Sequence, residues 1–343
     1  MKEEVKEMKP DEKLDRLIHV YKGPHGQTCI VDQTVRPMPD GSWVLIFMTG
    51  GPTEPHLENY IALCRSADRG ATWSTPETVL RYPDRACLLS EATVHDGLIT
   101  IYGHVHDGYF ENWTVFTITS ADQGQTWTDP VPFQPAPRRT FVRNLYVATW
   151  GTWYLPLQSY DVVPDPALSP LRDGSFARGM NLVIRSDDQG KTWEHSNSIG
   201  PLNGWNENNL VELRDGSLAM LVRAPADAPC LRSSSSTDRG RTWSDWEMTD
   251  IPNPGTKIRL FRLTDGRILL LHNPNATPGL RNPLSLWISD DDMRTWSYKR
   301  IVTDFPGQLS YPDGFVDADE KWIHYAFDYN RHDLIAVSSY IPD

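Results

Sequence analysis

Cysteine is scarce in this chain, and the four present, Cys29, Cys64, Cys87 and Cys230, are too widely spaced for a CxxC metal or redox motif. They are also too few to staple 343 residues, which marks them as reduced core residues. Charge is sparse at 23% of residues, yet the chain is rich enough in apolar side chains to exclude disorder and a coiled coil. Positive charge is in deficit, with a net charge of −12. Nucleic acid is held mainly by clustered Lys and Arg neutralising phosphates, so it is not an expected partner. Long apolar runs are missing too: nothing approaches the ~18 residues of a membrane span. The opening MKEEVKEMKPDEKLDRL alternates charges without an apolar segment, so neither a membrane partner nor a secretory leader is expected, and the expected location is cytoplasmic. What is abundant is rings and turn formers. With 13 Trp, 27 Pro and 23 Gly, no long run is free of helix breakers, which favours an all-β chain.

An eight-residue motif recurs five times, at Ser66–Trp73, Ser120–Trp127, Ser186–Trp193, Ser236–Trp243 and Ser289–Trp296. Its Ser and Asp side chains can bond nearby backbone in a turn, its Gly supplies positive φ, and its Thr-Trp pair starts the next strand. In the fifth copy Met293 stands in place of the Gly, so that turn must differ or be strained. A second series of tight turns precedes apolar strands at Asp40-Gly41, Asp96-Gly97, Gly151, Asp215-Gly216, Asp265-Gly266 and Asp319-Glu320. Its members lie 50 to 64 residues apart, near the period of propeller blades. The expected fold is therefore an all-β, six-bladed β-propeller of four-stranded antiparallel blades. Residues 1–15 form a charged extension and 16–343 one domain, with the strand Arg16–Gly23 closing the ring and completing the last blade.

If strands A to D run outward from the axis, both turn series lie on one face, and chemistry belongs on the other, at A-strand starts and in B–C loops. Those positions hold Arg36, Glu91, Arg143, Glu207 and Tyr311 at strand starts. The loops hold Glu54, His56 and Glu58, then His104, His106 and Asp107, then Gln158, Tyr160 and Asp161. Later units add Arg223, His272, Arg281, Asp328, Arg331 and His332. Several arginines at one site point to a carboxylate ligand, because the guanidinium fork binds it bidentately and stays charged.

These features resemble the sialidase superfamily of six-bladed Asp-box propellers over nearly the whole chain. In that family an Arg begins the first A strand in an Arg-Ile-Pro context, and Thr34-Val35-Arg36-Pro37 is similar without the Ile. The resemblance implies Tyr311 in LSYPDG as nucleophile, Glu207 in WNENNLVEL as its partner, and Arg36, Arg223 and Arg281 as a carboxylate clamp. The family's acid/base Asp has no counterpart between Thr49 and Tyr60, where Glu54 is the nearest positional match and His56 a second proton donor. His104, His106, Arg143 and Asp328 are further expected substrate contacts, His104 and His106 sharing one side of a strand.

The implied activity is an exo-acting, retaining glycoside hydrolase on a terminal acidic sugar, with an acidic carbohydrate as partner and no cofactor or metal. A tyrosine nucleophile suits an anionic substrate that would repel a carboxylate. Other readings on the same propeller are a uronate-directed lyase, with Tyr311 or a His abstracting a proton, a rhamnosidase-type enzyme, and a silent glycan binder using Trp113, Trp150, Trp153 and Trp205. The five motif tryptophans are expected between blades. The segment Ser159–Gly179 is expected to overhang the active face.

Overall fold

The computed structural model describes residues 5–24, 26–163, 176–225 and 228–343, with side chains undescribed at 161–163 and 176–177. Twenty-six strands and no helix are found among them, in six antiparallel sheets around an axis. Blade one is β2–β5 (Val31–Pro37, Trp43–Thr49, Tyr60–Ser66, Glu77–Leu80) and blade two is β6–β9 (Ala86–His95, Leu98–His106, Val115–Ser120, Val131–Pro132). Blade three holds β10–β15 (Thr140–Val142, Tyr146–Val147, Trp153–Val163, Phe176–Ser186, Glu194–His195, Ile199–Asn203). Blade four is β16–β19 (Asn208–Glu212, Leu218–Val222, Cys230–Ser236, Glu247–Pro252) and blade five is β20–β23 (Arg259–Arg262, Ile268–His272, Leu284–Ser289, Tyr298–Thr303). Blade six joins β24–β26 (Leu309–Val316, Trp322–Tyr329, Asp333–Tyr340) to β1 (Asp15–Lys22).

The six-bladed propeller expected from the repeat is the observed fold. The ring closes through β1, which runs antiparallel to β26 from Asp15 opposite Ser339 to Lys22 opposite Asp333. This pairing supplies the outermost strand of blade six, so that β26 is not left as an open edge. The closure is locked by Arg300, fully buried in blade five, whose Nε lies 2.9 Å from the Asp15 carboxylate. The preceding residues also dock: Met8 bonds the backbone of Lys299 and Ile301, and Glu7 accepts from the Trp287 indole.

Because both faces of the blades are covered, their second strands read as near-continuous apolar runs, as in the fully buried β3 and in LAMLV of β17 and ILLLH of β21. The apolar interior is divided radially. One cluster pairs Ile46 and Leu63 of blade one with Leu89 and Ile101 of blade two, and similar clusters fill the other interfaces around to Ala326 and Leu334 against Leu45 and Phe47. The motif tryptophans Trp73, Trp127, Trp193, Trp243 and Trp296 pack on these clusters, as expected. All four cysteines are free, and burial pushes Cys64 and Cys87 up to about 12.

Each motif turn takes its shape from local bonds. In the fourth copy Ser236 Oγ accepts from Gly240 N at 2.9 Å, and the Asp238 carboxylate accepts from Thr242 N and Oγ1 at 2.9 and 2.6 Å. Gly240 has φ of 76°, and a Cβ there would lie 2.7 Å from the Tyr154 ring. Met293 makes the same turn with φ of 64° and the same bond, 2.9 Å to Ser289 Oγ, so the fifth copy keeps its geometry and carries the strain.

Candidate active site

A cleft of about 320 Å³ opens at the axis on the face opposite the motif turns. It is lined by strand starts (Val31, Asp32, Leu88, Phe141, Arg143, Glu207, Tyr311), by loops or strand ends (Thr53, Glu54, Phe110, Gln158, Trp205, Arg223, Arg281) and by Arg331 of the β25–β26 turn. Four guanidiniums here face three carboxylates, inside a chain whose net charge is −12.

At its centre the Tyr311 hydroxyl donates to Glu207 Oε1 at 3.0 Å. Tyr311 sits at a β-bulge in β24, where the register slips between Ser310 and Asp313, and has φ of 59°. A tyrosine in the left-handed region is strained by about 1–3 kcal/mol and needs its surroundings to hold it. Gln33 of blade one does so, its amide donating to the carbonyls of Ser310 and Tyr311 at 3.1 and 2.7 Å. Burial, reinforced by the Glu207 charge, pushes the Tyr311 phenol up to about 12 against the pull of Arg281, Arg223 and Arg331. Burial alone would raise Glu207, but Arg223 and Arg143 overcome it and hold the carboxyl at about 2. Arg223 Nη1 donates to both Glu207 oxygens, at 2.9 and 3.0 Å. The pair is thus a neutral phenol bonded to an ionised carboxylate.

Arg281 lies over the Tyr311 ring, 5.2 Å from its centroid, and donates to Ser310 Oγ and the Gly255 carbonyl. It makes no ion pair among the described residues, which leaves its charge open to a ligand anion. Arg143 donates to Gln158 Oε1 at 2.7 Å and to Asp32 Oδ1 at 3.1 Å. Arg331 donates to Glu54 Oε1, and its backbone N–H bonds Asp328 Oδ1 at 3.0 Å. Burial raises Glu54, countered by Arg331. The opposite wall is aromatic: Phe110, Phe141 and Trp205 back onto Trp113 and Tyr160, with the Trp205 and Phe110 centroids 5.1 Å apart. One side of the cleft therefore suits an anion and the other a flat or apolar surface.

Of the expected site residues, Tyr311, Glu207, Glu54, Arg143, Arg223 and Arg281 meet at this cleft. Arg36 does not. β2 begins at Val31, so Asp32 occupies the rim, and four residues at ~3.3 Å rise each carry Arg36 about 13 Å further along the axis. There it is buried against Glu91 at 2.6 Å and Asp313 at 3.1 Å, in an axial ion network with Lys257 and Arg259. Glu91 belongs to this network too. His104 and His106 lie behind the aromatic wall, their rings bonded at 2.5 Å. Burial pushes both down, His106 to about 4, so they are neutral packing groups and not substrate contacts. His56 stays outside the cleft, half-exposed, its ring accepting from Glu58 N at 3.3 Å. Asp328 is buried beneath Arg331 with Oδ2 unpartnered, and burial, opposed by Arg331 and Arg281, raises it to about 7. His272 is buried against Trp287.

Two lining groups were missed. Asp32, with φ of 52° at a bulge in β2, mirrors Tyr311 in the neighbouring blade, and only the register reveals it. Phe110 and Phe141 carry no chemical signal in sequence. Among the proposed stacking residues, Trp205 lines the cleft and Trp113 supports it, whereas Trp150 and Trp153 belong to the turn region of the opposite face. Of the 159–179 segment, β12 and β13 pair out to Val163 and Phe176, and the remainder, with the Asp161 side chain, lies outside the described residues. No cluster of metal-ligating side chains occurs among the described residues.

Comparison with known proteins places this geometry in context. A family model described as a BNR repeat-like domain matches residues 85–323. A sialidase of Micromonospora viridifaciens is 26% identical over 80% of this chain, which spans 47% of that protein. A Clostridium perfringens sialidase is 27% identical over 75% of this chain and 73% of its own length. Among solved structures, a protein of unknown function from Dyadobacter fermentans superposes with a TM-score of 0.70 at 18% identity, covering 96% of this chain and 98% of that one. A Hadza microbial sialidase gives 0.72 at 17% identity, over 91% of this chain and 66% of that one. The family match covers most of the chain, and with the repeated turns and six closed blades it follows that this chain belongs to the BNR repeat-like family of the sialidase superfamily.

Proposed function

We propose that the cleft is the active site of an exo-acting, retaining glycosidase that removes a terminal acidic sugar. The observation that carries this reading is the buried Tyr311–Glu207 hydrogen bond of 3.0 Å beside a guanidinium, Arg281, that makes no ion pair among the described residues. Arg281 holds the sugar's carboxylate, beside an Arg223 committed to Glu207. Tyr311 attacks the anomeric carbon and passes its proton to Glu207 as the bond forms, giving a covalent glycosyl-tyrosine. The phenol is neutral before attack, so the nucleophile does not repel an anionic ligand. Glu54, whose proton affinity burial raises, protonates the leaving oxygen and then activates the water that releases the sugar. The aromatic wall of Phe110, Phe141 and Trp205 packs on the apolar face of the ring or its substituents.

Elimination by a lyase draws less support, because His104 and His106 are sealed behind that wall and leave Tyr311 as the remaining base of that reading. The relatives are the other support: both curated proteins above are sialidases. The test is a panel of aryl glycosides of sialic, ketodeoxy and uronic acids, with product configuration followed by NMR. Release of an acidic sugar with its anomeric configuration retained supports the reading. An unsaturated uronate absorbing in the ultraviolet, or inversion at the anomeric carbon, overturns it.

A further inference from the structure

We propose that the ligand's carboxylate takes Arg331 away from Glu54, and that Glu54 then accepts a proton from solvent, so that the cleft arms its acid only when an anion is bound. This rests on the reading of the cleft as a carboxylate site and adds a role for a sixth-blade arginine that neither the repeat nor the family motif marks.

Arg331 is built to serve two partners. Asn330 and Arg331 stand in the three-residue turn, 330–332, between β25 and β26, both left-handed with φ of 54° and 60°. The Arg331 N–H on Asp328 Oδ1 fixes the backbone, so only the side chain needs to move. Its guanidinium bonds Glu54 through Nη2 and otherwise reaches Cys29 Sγ at 3.7 Å, a weak contact. The other cleft arginines are committed differently. Arg223 is tied to both Glu207 oxygens and Arg143 to Asp32 and Gln158, whereas Arg281 is open but alone. A carboxylate recruited by Arg281 into this small cleft therefore finds its second donor most cheaply in Arg331.

Glu54 cannot stay ionised when that happens. It is largely shielded, its side chain 18% exposed, and the groups facing it are Arg331 from the β25–β26 turn, Asp32 from β2, Glu207 ahead of β16, and Asp328 and Cys29 around Arg331. Arg331 is the one cation among these; His56, on the same loop, turns its ring to Glu58. An ionised carboxylate left between Asp32, Glu207 and an incoming anion has lost its compensation. Protonation removes the charge and leaves a neutral acid beside the sugar. By linkage, an anion that raises proton affinity binds more tightly as pH falls, by up to about tenfold per pH unit while Glu54 is ionised in the free protein and protonated in the complex.

Calorimetric titration of the folded protein with N-acetylneuraminate and with glucuronate, near pH 7.5 in buffers of different ionisation enthalpy, reads the proton directly. The expected result is uptake of about one proton per bound sugar acid, with affinity rising as pH falls. Glu54→Gln keeps an oxygen for Arg331 and should abolish both uptake and pH dependence without weakening binding; Arg331→Gln should lower affinity tenfold or more and abolish uptake. Asp328→Asn should keep the uptake. Binding without proton exchange overturns this inference and leaves the carboxylate reading standing. Uptake lost in Asp328→Asn but kept in Glu54→Gln assigns the proton to Asp328 and also overturns it. If neither acid binds, the carboxylate reading falls and this inference with it.

Discussion

At the motif-turn end of the propeller the first Ser and the third-position Asp of each copy are satisfied within their own eight residues: Ser120 bonds Gly124, and Asp122 bonds Thr126. At the cleft end the partners come from different blades. Tyr311 and Glu207 are 104 residues apart, Arg143 and Asp32 are 111 apart, and Arg331 and Glu54 are 277 apart. Local bonds can be repeated five times because each copy folds the same way whatever surrounds it. Cross-blade bonds exist only when the ring has closed, and they place buried charges at a cost that function must explain. Damage at one end should therefore appear as altered stability or acid tolerance, and damage at the other as lost chemistry.

The largest expected effect is at the cleft. Tyr311→Phe should cut kcat on an accepted glycoside by about 10³-fold or more, ~4 kcal/mol of transition-state stabilisation, with an unchanged melting curve. Full activity in that variant would remove the nucleophile assignment. Next come two arginines that the sequence alone could not tell apart. Arg36→Met strands the buried Glu91 and Asp313 charges and should cost about 3–5 kcal/mol in denaturant titrations. Arg281→Met, by contrast, should raise KM about 10- to 100-fold at nearly constant stability. If Arg36→Met raised KM and left stability alone, its place in the axial network would be wrong.

Acid should attack the turn end. Thr hydroxyls and amides hold Asp68, Asp122 and Asp188 at about 2, below the ordinary aspartate value. The folded carboxyls are depressed, so their contribution is complete above pH ~4 and is lost as pH falls through about 2. Thr72→Val and Thr126→Val should move the acid transition, read by the fluorescence of the motif tryptophans, to higher pH. The smallest effect is a gain: Met293→Gly relieves a left-handed methionine and should stabilise by up to about 1 kcal/mol, or a few degrees in Tm. A loss would mean that the packing of Met293 against the blade-four and blade-five cluster outweighs the strain.

Legibility in the sequence followed the same division. The turns, their spacing and the closing strand could be read because they depend on residues a few positions apart. Glu207, Tyr311, Arg223 and Arg281 could be placed because they stand at strand ends that the turn spacing counts out. Arg36 was misplaced by four residues, since an inner strand that starts at Val31 shows in sequence neither where it meets the rim nor where it bulges. His104 and His106 looked like ligand contacts because alternation puts them on one side of β7, and only packing shows that this side faces Trp113 and Phe141.

By itself, then, the chain determined an all-β ring of six blades, because turn chemistry and strand periodicity are local and recur. The tertiary structure decided which charges line the cleft and which plug the axis. A one-residue shift in a bulged inner strand reverses the direction of a side chain, and burial then sets whether its charge is spent on a neighbour or left open to a ligand.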